Sequence, residues 1–172
     1  MEERLKAQEI ASEFYKAFAA ANPEGMLHLY DPNITFSDPV FGILKAEQVF
    51  AMWRMLVRPG VDIRFSEPKV SGDRVIVAWE ARYTYTPTGR KVLNKVKAAM
   101  TIKDGKNYRA SRHGSLWRWS AQAPGATGYL LGWSPVVKRK IHSMANARLR
   151  VFMEKNAGVI NFANFISVIT GQ

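Results

Sequence analysis

The sequence predicts an α+β domain in which three N-terminal helices pack against a strongly curved, antiparallel or mixed sheet, with a helical tail at the C-terminus. Two patterns carry that expectation. Apolar residues recur at helical spacing in three stretches before residue 58, and they alternate at strand spacing through most of residues 61–119. At 172 residues and 47% hydrophobic, the chain has the length of one domain and buries roughly two thirds of its unfolded surface.

Residues 3–21 read as the first helix, because Ile10, Phe14, Ala17, Phe18 and Ala21 form one stripe bordered by Ala11 and Tyr15. Asn22-Pro23-Glu24 closes it and opens a second, short helix over residues 23–30, with Asn22 as cap and Pro23 in the first turn. Ile34 to Asp38 alternates as a strand. A third helix over residues 46–57 presents Val49, Phe50, Trp53, Leu56 and Val57, and Arg58-Pro59-Gly60 ends it. Residues 61–70 form a strand made irregular by Pro68. After the turn Ser71-Gly72-Asp73, residues 74–85 place Val75, Val77, Trp79, Ala81, Tyr83 and Tyr85 on one face. A hairpin loop over residues 86–90 leads to a strand over 91–102, with Val92, Val96, Ala98, Met100 and Ile102 inward and Lys91, Lys95 and Lys97 outward. Lys103-Asp104-Gly105-Lys106 is a tight turn into a last strand over residues 107–119. Which face of that strand points inward stays open. Odd positions carry Ser111, His113, Ser115, Trp117 and Trp119; even positions are apolar apart from Arg112 and Arg118.

Beyond it, a loop-rich stretch with Pro124, Gly125, Gly128 and Gly132 leads to Ser134-Pro135, which caps a helix bearing Val137, Ile141, Met144, Ala145, Leu149 and Phe152 on one side. Asn156-Ala157-Gly158 should end that helix. The uncharged residues 159–169 then form a segment packed on the domain or a partner subunit, or an interfacial membrane anchor. The expected division is a domain over residues 1–120 and a loop and helical extension over 121–172.

A formal charge of +11 favours something anionic as a partner, whether nucleic acid, a membrane surface or an acidic ligand, without choosing among them. Basic residues concentrate between Gly89 and Trp119, where only Asp104 opposes nine of them, and again from Lys138 to Lys155. The absence of cysteine excludes disulfides, thiol nucleophiles and thiolate metal sites. The charged start Met1-Glu2-Glu3-Arg4 does not read as a signal peptide, and no apolar run reaches the ~18 residues of a membrane span. A cytoplasmic protein is expected. His28, His113 and His142 lie on different elements without ligand spacing, so no metal site is expected, and no glycine-rich phosphate loop or serine elbow points to a cofactor or triad.

Chemistry concentrates at Ile34-Thr35-Phe36-Ser37-Asp38-Pro39, where alternation puts Asp38 on the face of Ile34 and Phe36. Buried there, its carboxylate would be pushed toward the neutral form and serve as a proton acceptor; alternatively, Asp38-Pro39 opens a turn and bonds nearby amides. Glu13-Phe14-Tyr15-Lys16-Ala17-Phe18 and Tyr30-Asp31-Pro32-Asn33-Ile34-Thr35-Phe36-Ser37-Asp38-Pro39, with Val49 to Trp53 and the strand order behind them, resemble the nuclear transport factor 2-like superfamily, in its SnoaL-like and ketosteroid-isomerase-like branches. The resemblance covers about residues 5–119. It implies a cone-shaped barrel of bent sheet and helices around an apolar pocket, commonly in homodimers, hosting both enzymes and non-catalytic binders. By position Tyr15 matches the family's hydrogen-bond donor and Asp38 its proton shuttle, while the position of the family's second acid falls near Ala98, which has no carboxyl. His113 is the candidate to supply acid or base chemistry in its place, or else a surface residue. Phe36, Phe41, Trp53, Trp79, Tyr83, Met100 and Trp117 are the expected pocket wall. Two function classes follow: an isomerase or lyase acting on a hydrophobic carbonyl compound, or a non-catalytic ligand binder or basic interaction module.

Overall fold

A computed structural model of the protein describes residues 2–85, 88–114, 122 and 135–170, with side chains of the last helix described to residue 156 apart from 137. Helix α1 (Glu2–Ala19) buries Ala11, Phe14 and Tyr15, so its inward stripe is rotated toward the residues expected at its border. Its end is a Schellman-type cap: Asn22 N donates to Ala17 O at 2.9 Å and Ala21 N to Phe18 O at 3.1 Å, with Ala21 at φ +52° where glycine is usual. Helix α2 (Pro23–Leu27) follows at once, Asn22 accepting from Gly25 N as its cap. Strand β1 (Tyr30–Asp38) buries Ile34, Phe36 and Asp38 in strict alternation. Strand β2 (Gly42–Lys45), absent from the sequence reading, pairs antiparallel with β1, Asp38 opposite Gly42. Helix α3 (Glu47–Leu56) buries Val49, Ala51, Met52 and Trp53.

The single strand expected over residues 61–70 is two, β3 (Asp62–Phe65) and β4 (Lys69–Ser71), each paired with β5 (Arg74–Tyr85). Pro68 sits in the gap, since proline has no N–H to give a ladder; its carbonyl accepts from Gln8 Nε2 at 2.9 Å and ties the break to α1. Strands β6 (Arg90–Lys103) and β7 (Lys106–Gly114) complete a seven-stranded sheet in the order β2-β1-β7-β6-β5-β3. All its pairings are antiparallel except β1 with β7, which makes the sheet mixed. Register shifts between Tyr30 and Thr35 and between Thr101 and Ile102 bend it around the helices. Asp104 and Gly105 both lie at positive φ, as a two-residue hairpin requires. The core between sheet and helices is aromatic at one end, where Phe14, Phe18, Phe36, Tyr30, Trp53 and Trp79 form edge-to-face or tilted pairs 5.2–5.9 Å apart.

The last helix, α4 (Pro135–Thr170), runs through Gly158 without a break. A helical glycine costs only about 1 kcal/mol, unlike proline, and Asn156 Nδ2 satisfies Phe152 O one turn back instead of capping. Leu149 is buried and Ala145, Phe152 and Met153 partly so, holding α4 to the core beside α3.

Candidate active site

Asp38 ends β1 with a side chain that is 1% exposed, and it is not alone in the interior. Arg112 of β7 donates from Nε to its Oδ2 at 2.7 Å and approaches the same oxygen through Nη2 at 2.5 Å. Oδ1 accepts the backbone N–H groups of Val40 at 3.0 Å and Phe41 at 2.5 Å. Asp38 is thus both an inward residue and the organiser of the β1–β2 turn. The expectation of a solitary acid in an apolar chamber is corrected, because a guanidinium and two amides engage both oxygens.

Arg112 answers which face of β7 turns inward. Ala110 and Arg112 point into the cone, and opposite Arg112 in register stands Ala98, whose small side chain leaves room for the guanidinium. Its Cζ lies 5.2 Å from the Phe36 ring centroid and 5.4 Å from that of Trp53, an aromatic box for the cation. Ala98, near which the resemblance places an acid, thus has the Arg112 guanidinium opposite it on the next strand.

Tyr15 is buried, and desolvation pushes its hydroxyl above the ordinary phenol range, opposed by the charge of Arg112 and a hydrogen bond with Trp79. Burial likewise raises Tyr30, whose hydroxyl accepts from Trp53 Nε1 at 3.0 Å. Both phenols stay protonated, hence donors, at neutral pH. Between Tyr15, Tyr30, Phe36, Trp53, Trp79 and Arg112 lies a cavity of about 10 Å³, the space of roughly one water. The aromatic wall fills the chamber.

Of the expected residues, Tyr15 and Asp38 converge on Arg112, and Phe36, Trp53, Trp79 and Met100 line the small cavity. Phe41 is buried in the β1–β2 turn, and Tyr83 packs against the core further along β5. Trp117 lies outside the described residues. His113 is exposed on the outer face of β7, opposite Lys97, in an open groove of about 770 Å³ with Glu80 and Lys95. It does not join Tyr15 and Asp38, since alternation gives the interior to Arg112.

The site is braced from outside by α4. His142 Nδ1 donates to Val40 O at 3.0 Å and Asn146 Nδ2 to Phe41 O at 3.2 Å. These two residues are the ones whose N–H groups hold Asp38. Gly42, at φ +77°, lets the helix come this close: a Cβ there would lie 2.9 Å from His142 Cε1.

A family profile described as the SnoaL-like domain matches residues 11–110. The chain belongs to the SnoaL-like domain family. Similar solved structures include a protein of Jannaschia provisionally named a SnoaL-like polyketide cyclase, at TM-score 0.62 and 15% identity over 72% of this chain and 94% of that one. A protein of Xanthomonas campestris provisionally named a polyketide cyclase follows at TM-score 0.59 and 18% identity, over 70% and 98%. A protein of Catenulispora acidiphila with a ketosteroid-isomerase-like fold, solved with trimethylamine, has TM-score 0.59 and 15% identity over 74% and 98%. At such identities the likeness speaks for the fold. No curated protein matches the sequence.

Within this SnoaL-like domain, Arg112 is the site residue that sequence reasoning passed over. One signal could have found it: an arginine among Ala110, Gly114 and Leu116 on a strand face is a cation in need of a buried anion, and Asp38 is the only buried carboxylate among the described residues.

Proposed function

We propose that this SnoaL-like domain binds a small hydrophobic carbonyl compound in its cone and moves a proton on the carbon next to the carbonyl. Tyr15 and Arg112 donate hydrogen bonds to the oxygen as it gains charge, and Asp38 takes the proton and returns it. The observation that carries this reading is the meeting of a protonated phenol, a guanidinium and the buried carboxylate within an aromatic wall. Polyketides are carbonyl-rich, which agrees with the provisional names of two structural neighbours. Because the cavity is about 10 Å³, the substrate enters only as Phe36 and Trp53 part, and Arg112 then turns its N–H groups from Asp38 to the substrate oxygen.

A second reading, ligand binding without turnover, is favoured by the same small cavity and by the full set of partners on Asp38. The two separate in one experiment: aromatic ketones are incubated with the protein in D₂O, α-proton exchange is followed by NMR, and binding is followed by tryptophan fluorescence. Exchange that disappears in Asp38→Asn and falls by about 10²–10³ in Tyr15→Phe supports catalysis. Quenching without exchange supports the binder. Neither exchange nor quenching across the panel removes the small-molecule reading.

A further inference from the structure

The face of α4 turned away from the core combines two features that a solvated helix rarely joins. Val136, Met144 and Val151 are 63%, 50% and 49% exposed, three large apolar side chains on one helix. At about 100° per residue, Lys140 falls among them opposite the buried Leu149, Lys155 and Arg148 flank them on one side, and all three are exposed. From Pro135 to Asn156 six basic residues face a single acid, Glu154. The helix then continues from Ala157 to Thr170 without one charged residue. These last 14 residues extend about 21 Å at 1.5 Å each, short of the ~30 Å hydrocarbon core of a bilayer. Among the described residues no helix is long and apolar enough to cross a membrane.

We propose that α4 is a lipid-surface anchor: its outer face lies on an anionic bilayer, with Lys140, Arg148 and Lys155 at the headgroups and Val136, Met144 and Val151 below them. Lysine and arginine stems suit that geometry, since their methylenes lie along apolar surface while the charge stays wet. Apolar side chains exposed between the cations distinguish this surface from a nucleic-acid face, which needs charge alone or stacking aromatics. The outer sheet is the weaker site for an anion, because Glu80 pairs with Lys95 at 3.1 Å and with Arg82 at 3.3 Å.

The test is flotation of the full chain with phosphatidylcholine vesicles, with and without phosphatidylserine, at low and high salt. Binding should require phosphatidylserine and weaken as salt rises. Each basic residue at such a surface is worth a factor of about five, so Lys140→Glu with Arg148→Glu and Lys155→Glu should lower partitioning by at least about a hundredfold. A second variant, Val136→Asn with Met144→Asn and Val151→Asn, should abolish it at unchanged net charge. All six positions are exposed, and circular dichroism checks that both variants fold. Three results overturn the proposal: no flotation at low salt, flotation indifferent to both variants, or a shift of duplex DNA that the charge variant removes while vesicles bind neither protein. Self-association broken by the Asn variant, without flotation, would likewise overturn it in favour of a second copy as the occupant.

Discussion

Replacing Arg112 by leucine isolates what the ion pair with Asp38 does. The carboxylate is 1% exposed and the guanidinium 14%, so neither partner can recover its lost interaction from water. Removing one member of a buried pair typically costs about 3–5 kcal/mol, because an uncompensated charge stays behind. Arg112→Leu should therefore lower the unfolding free energy by about 3–5 kcal/mol, the Val40 and Phe41 amides alone remaining on the carboxylate. Asp38→Asn keeps an oxygen for those amides but leaves the guanidinium between Phe36 and Trp53 without its counter-ion, and about 2–4 kcal/mol should go. In the double variant both charges are gone. Its remaining deficit is the lost stacking of the cation on two rings, about 1–2 kcal/mol. The double-mutant cycle should thus report a coupling of at least about 2 kcal/mol. Urea unfolding followed by tryptophan fluorescence measures each corner. Losses that simply add in the double variant, or an Arg112→Leu cost below about 1 kcal/mol, would refute the reasoning.

Three further outcomes are expected. Ala21→Gly should stabilise by about 0.5–1 kcal/mol in thermal or urea unfolding, since Ala21 at φ +52° occupies a left-handed cap where an L side chain is strained. Gly42→Ala should destabilise by about 1–3 kcal/mol through both its φ of +77° and the His142 ring, and His142→Ala in the same chain should restore only the steric part. Absorbance titration should show Tyr15 and Tyr30 ionising above the ordinary phenol range; with their folded values raised by burial, the unfolded chain ionises first, so stability holds below about pH 10 and falls as pH rises past it. Ionisation of all six tyrosines together near pH 10, with the fold intact, would contradict the burial.

Residues decided differently how far each part could be read in advance. Alternation alone placed Ile34, Phe36 and Asp38 on one buried face and oriented β5 and β6, because period 2 leaves no freedom once one face is apolar. Strand β2 escaped because four residues with Ile43 69% exposed give no period to detect, and only pairing with β1 makes them a strand. Gly158 misled because punctuation by glycine is a preference of about 1 kcal/mol, easily outweighed by a long helix. His113 drew attention as a titratable group, yet the partner of Asp38 is its neighbour Arg112; nothing local distinguishes them, and the choice is made across strands by the space beside Ala98. The grip of α4 on the β1–β2 turn is long-range, joining residues 102 and 105 positions apart, and no short-range pattern encodes it.

That grip makes the C-terminal end a lever. His142 and Asn146 hold the carbonyls of the two residues whose N–H groups steady the acid, so any load on the helix is delivered to the chamber floor without passing through the sheet. A tag, truncation or docking event at the far end is then an intervention at the heart of the molecule, although it leaves the matched stretch of residues 11–110 untouched.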